Sequence, residues 1–196
     1  MEPEPPMNSS TFTELPANLP IPQDDGACAH LSGKRLPDIE LLSTSGAFIN
    51  LQRRAGLTVV YVYPLTGRPG IALPPGWDEI PGARGCTPES CAFRDQHAVI
   101  RSLGAEVFGL SSQSTDYQRE VHERLHLTFD LLSDNAFQFA DALSLPTFSA
   151  SGMRLLRRVT LVVQTGVIEH VFYPIVPPDR HPSDVVAYLK SRKSLG

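Results

Sequence analysis

Apolar positions recur along the chain in two rhythms, and these delimit the elements. Residues 57–63, Leu-Thr-Val-Val-Tyr-Val-Tyr, form a continuous β-branched run stopped by Pro64, the pattern of a strand buried on both faces. From Cys86 to Gly104, apolar side chains at Phe93, Val99, Ile100 and Leu103 follow a first turn suited to Pro88 and Glu89, and a glycine ends the run. That spacing predicts a helix with Cys86 at its N-terminus. The same reading predicts a strand over 105–110, helices over 115–125 and 135–143, a strand pair over 155–163 and 167–173 turning at Thr165-Gly166, and a closing helix over 182–193. The order β-α-β-α-(β)-α-β-β-α predicts an α/β domain whose mixed central sheet carries helices on both faces.

Proline changes this picture at two places. Of 18 prolines, Pro3, Pro5, Pro6, Pro16, Pro20 and Pro22 crowd the start, where each removes a donor and fixes φ. Residues 1–26 are therefore expected to be an extended arm attached to or draped over a domain at 27–196. The second crowd lies between Pro64 and Gly85 with Gly67, Gly70, Gly76, Gly82 and the single tryptophan, Trp77, and predicts a long loop of the kind that usually carries function.

Charge and composition narrow the partners. Seventeen Lys and Arg against 21 Asp and Glu, with no long basic run, exclude the clustered cations that neutralise phosphates, so no nucleic acid is expected. No apolar stretch approaches the roughly 20 residues a bilayer needs, and the start lacks the pattern of a signal peptide; no membrane and a cytoplasmic location are expected. Three cysteines make no disulfide framework, and in a reducing compartment a thiol is catalytic, metal-bound or merely buried.

At a helix N-terminus, free backbone N–H groups and the positive end of the macrodipole favour a thiolate, so Cys86 is placed to be a nucleophile with a lowered pKa. Cys91 lies five positions on. On an intact helix the two Cα atoms would be roughly 8.6 Å apart, whereas a disulfide tolerates about 7 Å. Closing a bond between them requires the first turns to unwind. Alternatively Cys91 is a core residue beside Phe93, and Cys28 or an outside thiol resolves an oxidised Cys86.

Tyr63-Pro64, the run Gly-Cys-Thr-Pro-Glu-Ser-Cys-Ala-Phe-Arg-Asp from Gly85 to Asp95, and Arg158-Val-Thr-Leu together resemble the peroxiredoxins, closest to the Q type or bacterioferritin comigratory proteins, over roughly residues 36–189. The resemblance implies a thioredoxin-like fold and thiol-dependent reduction of hydrogen peroxide or organic hydroperoxides. Cys86 would be the peroxidatic cysteine, Cys91 the resolving one, and Arg158 the guanidinium that holds thiolate and peroxide. It implies no metal, flavin or nucleotide cofactor, a thioredoxin or related dithiol protein as reductant, and a monomer or homodimer. Arg158 also makes physical sense as a cation sharing a strand face with Thr160 and Val162.

The usual Pro-x-x-x-Thr-x-x-Cys pattern is broken. Counting back from Cys86, the threonine slot holds Ala83 and the proline slot Glu79; counting from Pro64, some fifteen extra residues intervene. Pro64, which ends the strand, is expected to keep the shielding role, and Thr66 is the candidate for the displaced hydroxyl. Trp77 and its prolines are read as a lid or partner-contact surface. A redox sensor or thiol-regulated binding protein on the same scaffold is the alternative reading. His122-Glu-Arg-Leu-His126 matches the zinc-binding H-E-x-x-H, but it ends an ordinary surface helix with Val121 and Leu125 as its apolar stripe, and nothing picks out a third ligand. His30, His97, His170 and His181 are expected at the surface or in loops.

Overall fold

A computed structural model describes residues 12–194. Its elements in chain order are β1 (Glu40–Ser43), β2 (Phe48–Asn50), β3 (Leu57–Val62), α1 (Cys86–Ser102), β4 (Ala105–Ser111), α2 (Thr115–Arg124), β5 (Leu131–Ser133), α3 (Gln138–Leu143), β6 (Thr147–Ala150), β7 (Met153–Leu156), β8 (Val159–Gln164), β9 (Val167–Phe172) and α4 (His181–Ser194). Seven strands form one sheet in the order β2-β1-β5-β4-β3-β8-β9, and β6 and β7 make a separate hairpin. β3, β4 and β5 run parallel while the flanking strands are antiparallel, so the sheet is mixed, as the element order predicts.

β3 is central and buried along its whole length. Its alternate residues feed two cores. Val60 and Val62 pack with Phe139, Ala140 and Leu143 of α3 and with Cys28 and Leu31, while Val59, Tyr61 and Tyr63 pack with residues of α1, α2 and α4, Cys86 among them. The period-2 alternation of a strand thus places Cys86 and Cys28 on opposite faces of the sheet.

Two parts of the architecture depart from the pattern. The run expected to be one strand over 155–163 is broken: Leu155 and Leu156 close the β6-β7 hairpin, and Arg157 N–H bonds Pro146 O at 2.8 Å before β8 begins at Val159. Both pieces are apolar, so hydrophobic periodicity does not mark the break. The short antiparallel pair β1-β2 joins the same sheet from residues 40–50, too few per strand to show a pattern.

His181 corrects a surface expectation. It is buried at the start of α4, with Nε2 2.9 Å from Thr160 Oγ1, and its ring is edge-on to Phe93 and Phe172. Burial, helped by the Arg158 charge, pushes its pKa from 6.5 down to about 3. A base depressed in the folded state contributes stability that is present above its unfolded value and is lost as pH falls towards the folded one, here over the window from about 6.5 to about 3. The contribution is on the order of 5 kcal/mol. His181→Gln should show a shallower loss of urea midpoint than wild type across that window; parallel acid titrations of the two proteins would remove this account.

Residues 12–26 of the arm lie across the loop after β3. A Cβ at Gly67 would run into the Phe12 ring, and one at Gly85 would strike Leu15 and Pro178. Phe12 is buried, and Tyr173 donates its hydroxyl to Asp25 at 2.8 Å. Residues 1–11 of the expected arm lie outside the described residues.

Candidate active site

Gly85 precedes α1 with φ 109°, a conformation side chains resist and one that its contacts with Leu15 and Pro178 leave no room to fill. That turn sets Cys86 as the first residue of α1 on the core side, 2% exposed. Arg158, two positions after β7 and just before β8, points its guanidinium at the same spot. Its Nη2 donates to Cys86 Sγ at 3.2 Å and reaches Ala83 O at 3.4 Å and Arg84 O at 3.3 Å, while Nη1 pairs with Glu89 of α1. The thiol itself donates to Ala83 O at 3.6 Å, and the Leu65 N–H acts to draw its pKa down. Fifteen extra residues therefore do not separate the shielding strand end from the nucleophile: the loop leaves after Gly67 and returns at Arg84, and both of its ends line one cavity with Cys86.

The sulfur feels opposed influences. Burial pushes the Cys86 thiol up and Glu89 adds to it, against the pull of the Arg158 guanidinium and the Leu65 N–H. In this closed arrangement burial wins, so the lowered pKa expected from a helix N-terminus alone is not found: a desolvated anion loses more than amide dipoles return. Glu89, fully buried, is itself raised to about 7 despite its pairing with Arg158. The cluster thus holds one fixed cation and two acids that compete for it.

The site residues read from the sequence fall as follows. Cys86 and Arg158 meet. Pro64 is buried directly after β3 and Tyr63, with Ser111 donating to its carbonyl at 3.2 Å. Thr66 is fully buried, but its hydroxyl and its N–H both bond Gln113 Oε1 at 3.0 Å, and Leu65 and Gly67, not Thr66, line the Cys86 cavity. The displaced-hydroxyl role is corrected on that ground. Cys91 is half-buried on the intact α1, raised by burial and drawn down by Arg94, and all three thiols are free. Trp77, read with its prolines as a lid or partner-contact surface, is 3% exposed, lines the Cys86 cavity and packs with Ala83, Ala150 and Leu155 over the β6-β7 hairpin, because an indole of this size in a loop gains most by anchoring it. Among the described residues no three His, Cys, Asp or Glu stand together as a metal site, and His126 lies beyond α2 with φ 50°.

Sequence reasoning missed Leu65, Glu89 and Phe12. A backbone N–H has no sequence signature, and Phe12 sits in a proline-rich arm with no periodicity. Glu89 was legible only as a first-turn acid that suits the macrodipole; its burial against Arg158 depends on where β8 starts.

The Redoxin family model matches residues 31–189, from before β1 to within α4. Among curated proteins, Peroxiredoxin Q, chloroplastic, of Oryza sativa subsp. japonica is 28% identical over 189 residues, covering 93% of this chain and 80% of that protein. Among solved structures, the peroxidoxin BcpB of Mycobacterium tuberculosis superposes with a TM-score of 0.65 at 24% identity, over 83% of this chain and 98% of that one. The Xanthomonas campestris bacterioferritin comigratory protein, a structure concerned with its alkyl peroxide reduction activity, gives 0.63 at 22% identity over 80% and 96%. At these identities the two structures establish the fold, which is thioredoxin-like. A family model that runs through the sheet, the Cys86 helix and the Arg158 strand start settles the classification: the chain belongs to the Redoxin family, among the thiol peroxidases of peroxiredoxin type.

Proposed function

We propose that Cys86 is the peroxidatic thiol of this peroxidase and that it reduces hydrogen peroxide or organic hydroperoxides. The observation that carries the reading is the Arg158 guanidinium 3.2 Å from Cys86 Sγ at the first residue of a helix. A cation in a dry site stabilises both the thiolate and the charge that develops as the O–O bond breaks. Attack forms an S–O bond and leaves Cys86 as a sulfenic acid, with water or an alcohol as co-product.

Cys91 is the proposed resolving thiol. It packs against the same core as Cys86, on the α1 side of the sheet, whereas Cys28 stands in the core beyond the sheet, with its thiol pushed up to about 12 by burial. With both cysteines on one continuous helix, the disulfide forms only after the first turns of α1 unwind, which also withdraws Glu89 from Arg158. A thioredoxin or similar dithiol protein then returns the disulfide to thiols. A reducing compartment, the cytoplasm, suits three free cysteines, and a monomer or homodimer suffices for the chemistry. Among the described residues no helix is long and apolar enough to cross a membrane.

Intact-mass analysis after one equivalent of peroxide tests both roles. Wild type should lose two hydrogens; Cys91→Ser should instead gain one or more oxygens, and Cys86→Ser should do neither. A Cys91→Ser protein that still loses two hydrogens would pass the resolving role to Cys28. One observation favours the redox-sensor alternative: the Cys86 cavity, lined in part by Phe12 and Trp77, holds only about 10 Å³. Stopped-flow oxidation separates the readings, since a sensor without peroxide-activating groups should react at the rate of an ordinary thiol.

A further inference from the structure

The expanded loop removes threonine from its usual slot, and Thr66 bonds Gln113 instead, so the peroxide site lacks the hydroxyl that the broken pattern would have supplied. One hydroxyl is nevertheless available. Thr87, the second residue of α1, is 2% exposed, its Oγ1 is buried with no hydrogen-bond partner among the described residues, and it lines the same cavity as Cys86 and Leu65. Among the described residues, no other one lining that cavity carries a hydroxyl. A buried hydroxyl without a partner costs free energy and calls for an occupant that completes it. At about 10 Å³ the cavity is at the lower limit for one water-sized group, the size of a peroxide oxygen.

We propose that the Thr87 hydroxyl donates to the peroxide and takes over the role of the missing threonine; this rests on Cys86 being the peroxidatic thiol. In the step concerned, the Cys86 thiolate attacks the terminal oxygen of ROOH, the S–O bond forms as the O–O bond breaks, and sulfur is oxidised by two electrons while the peroxide is reduced. The oxygen leaving as RO⁻ takes up the proton given up earlier by the thiol and departs as ROH. Thr87 bonds the oxygen on which negative charge grows, and Arg158 holds the sulfur side. Placement on α1 next to the nucleophile keeps the donor in register with the sulfur however the loop is built.

The test compares Thr87→Val, which keeps the shape and loses the hydroxyl, with Thr87→Ser, which keeps the hydroxyl. The second-order rate of Cys86 oxidation by hydrogen peroxide should fall about 10²-fold in Thr87→Val and within a few fold of wild type in Thr87→Ser. Alkylation by iodoacetamide, which needs a thiolate but no peroxide donor, should be the same in all three. Wild-type peroxide rates in Thr87→Val overturn the proposal, as does a parallel fall in peroxide and iodoacetamide rates, which would mark an effect on the thiolate or the helix. Cys86→Ser in the same assay keeps the two levels apart: retained turnover there removes the underlying reading, whereas abolished turnover with an unaffected Thr87→Val removes only this inference.

Discussion

Cys86→Ser is expected to bring peroxide turnover to the uncatalysed background while leaving the fold in place. Serine is nearly isosteric, and its hydroxyl can donate to the Ala83 carbonyl that now accepts from the thiol. The Arg158–Glu89 pair next to it is untouched. What is lost is the nucleophile: a hydroxyl does not ionise near neutrality, and Arg158 offers it no general base. Turnover of hydrogen peroxide with an added dithiol reductant, alongside a thermal melt, checks both halves. Persistent turnover in a folded Cys86→Ser protein would end the assignment of this site.

Arg158→Met should lower the peroxide rate about 10²- to 10³-fold and also destabilise the protein, and pH separates the two effects. The guanidinium is the largest influence lowering the Cys86 thiol, and without it burial, which already raises that thiol, does so unopposed by any charge. It is also the partner of a fully buried carboxyl, and removing one member of such a pair costs about 3–5 kcal/mol. Glu89 escapes that cost by taking up a proton. Its folded pKa of about 7 already exceeds the ordinary 4.5, so its contribution to stability is present below 4.5 and is lost as pH rises through 7. Since Arg158 is what restrains that rise, the stability deficit of Arg158→Met should be small at pH 5 and large at pH 8. Adding Glu89→Gln should recover stability at pH 8 without recovering the rate. Denaturant midpoints at the two pH values, with stopped-flow oxidation, read both quantities; a double variant that regained the peroxide rate would show that Arg158 acts through Glu89 alone.

The elements that position this chemistry were legible where side-chain rhythm is strong. β3, α1, β4, α2 and α4 stand within a few residues of their expected places, since a fully apolar β-branched run and an amphipathic helix with a glycine stop each have few alternatives. The three-residue strands β2 and β5 were too short for any rhythm, and the apolar run across Arg157 and Arg158 hid the passage from hairpin to sheet. At the site, Cys86 and Arg158 were legible by residue type and motif. Thr66 was misplaced because its neighbour Gln113, 47 positions on, claims its hydroxyl, a long-range contact with no local signature.

The linear order of residues by itself determined that a thiol begins a helix after a proline-rich loop, that an arginine belongs to a late apolar run, and that the intervening pattern closes a mixed sheet between helices. These follow from local stereochemistry and from the burial of apolar faces, which act over a few residues. Only the tertiary structure decided the charge environment of the sulfur: that Glu89 shares its cation, that a Leu65 amide acts on it from twenty-one residues away in sequence, and that Phe12 and Trp77 line its cavity. Electrostatics in a dry interior depends on distance and desolvation through space, and neither quantity is written along a chain.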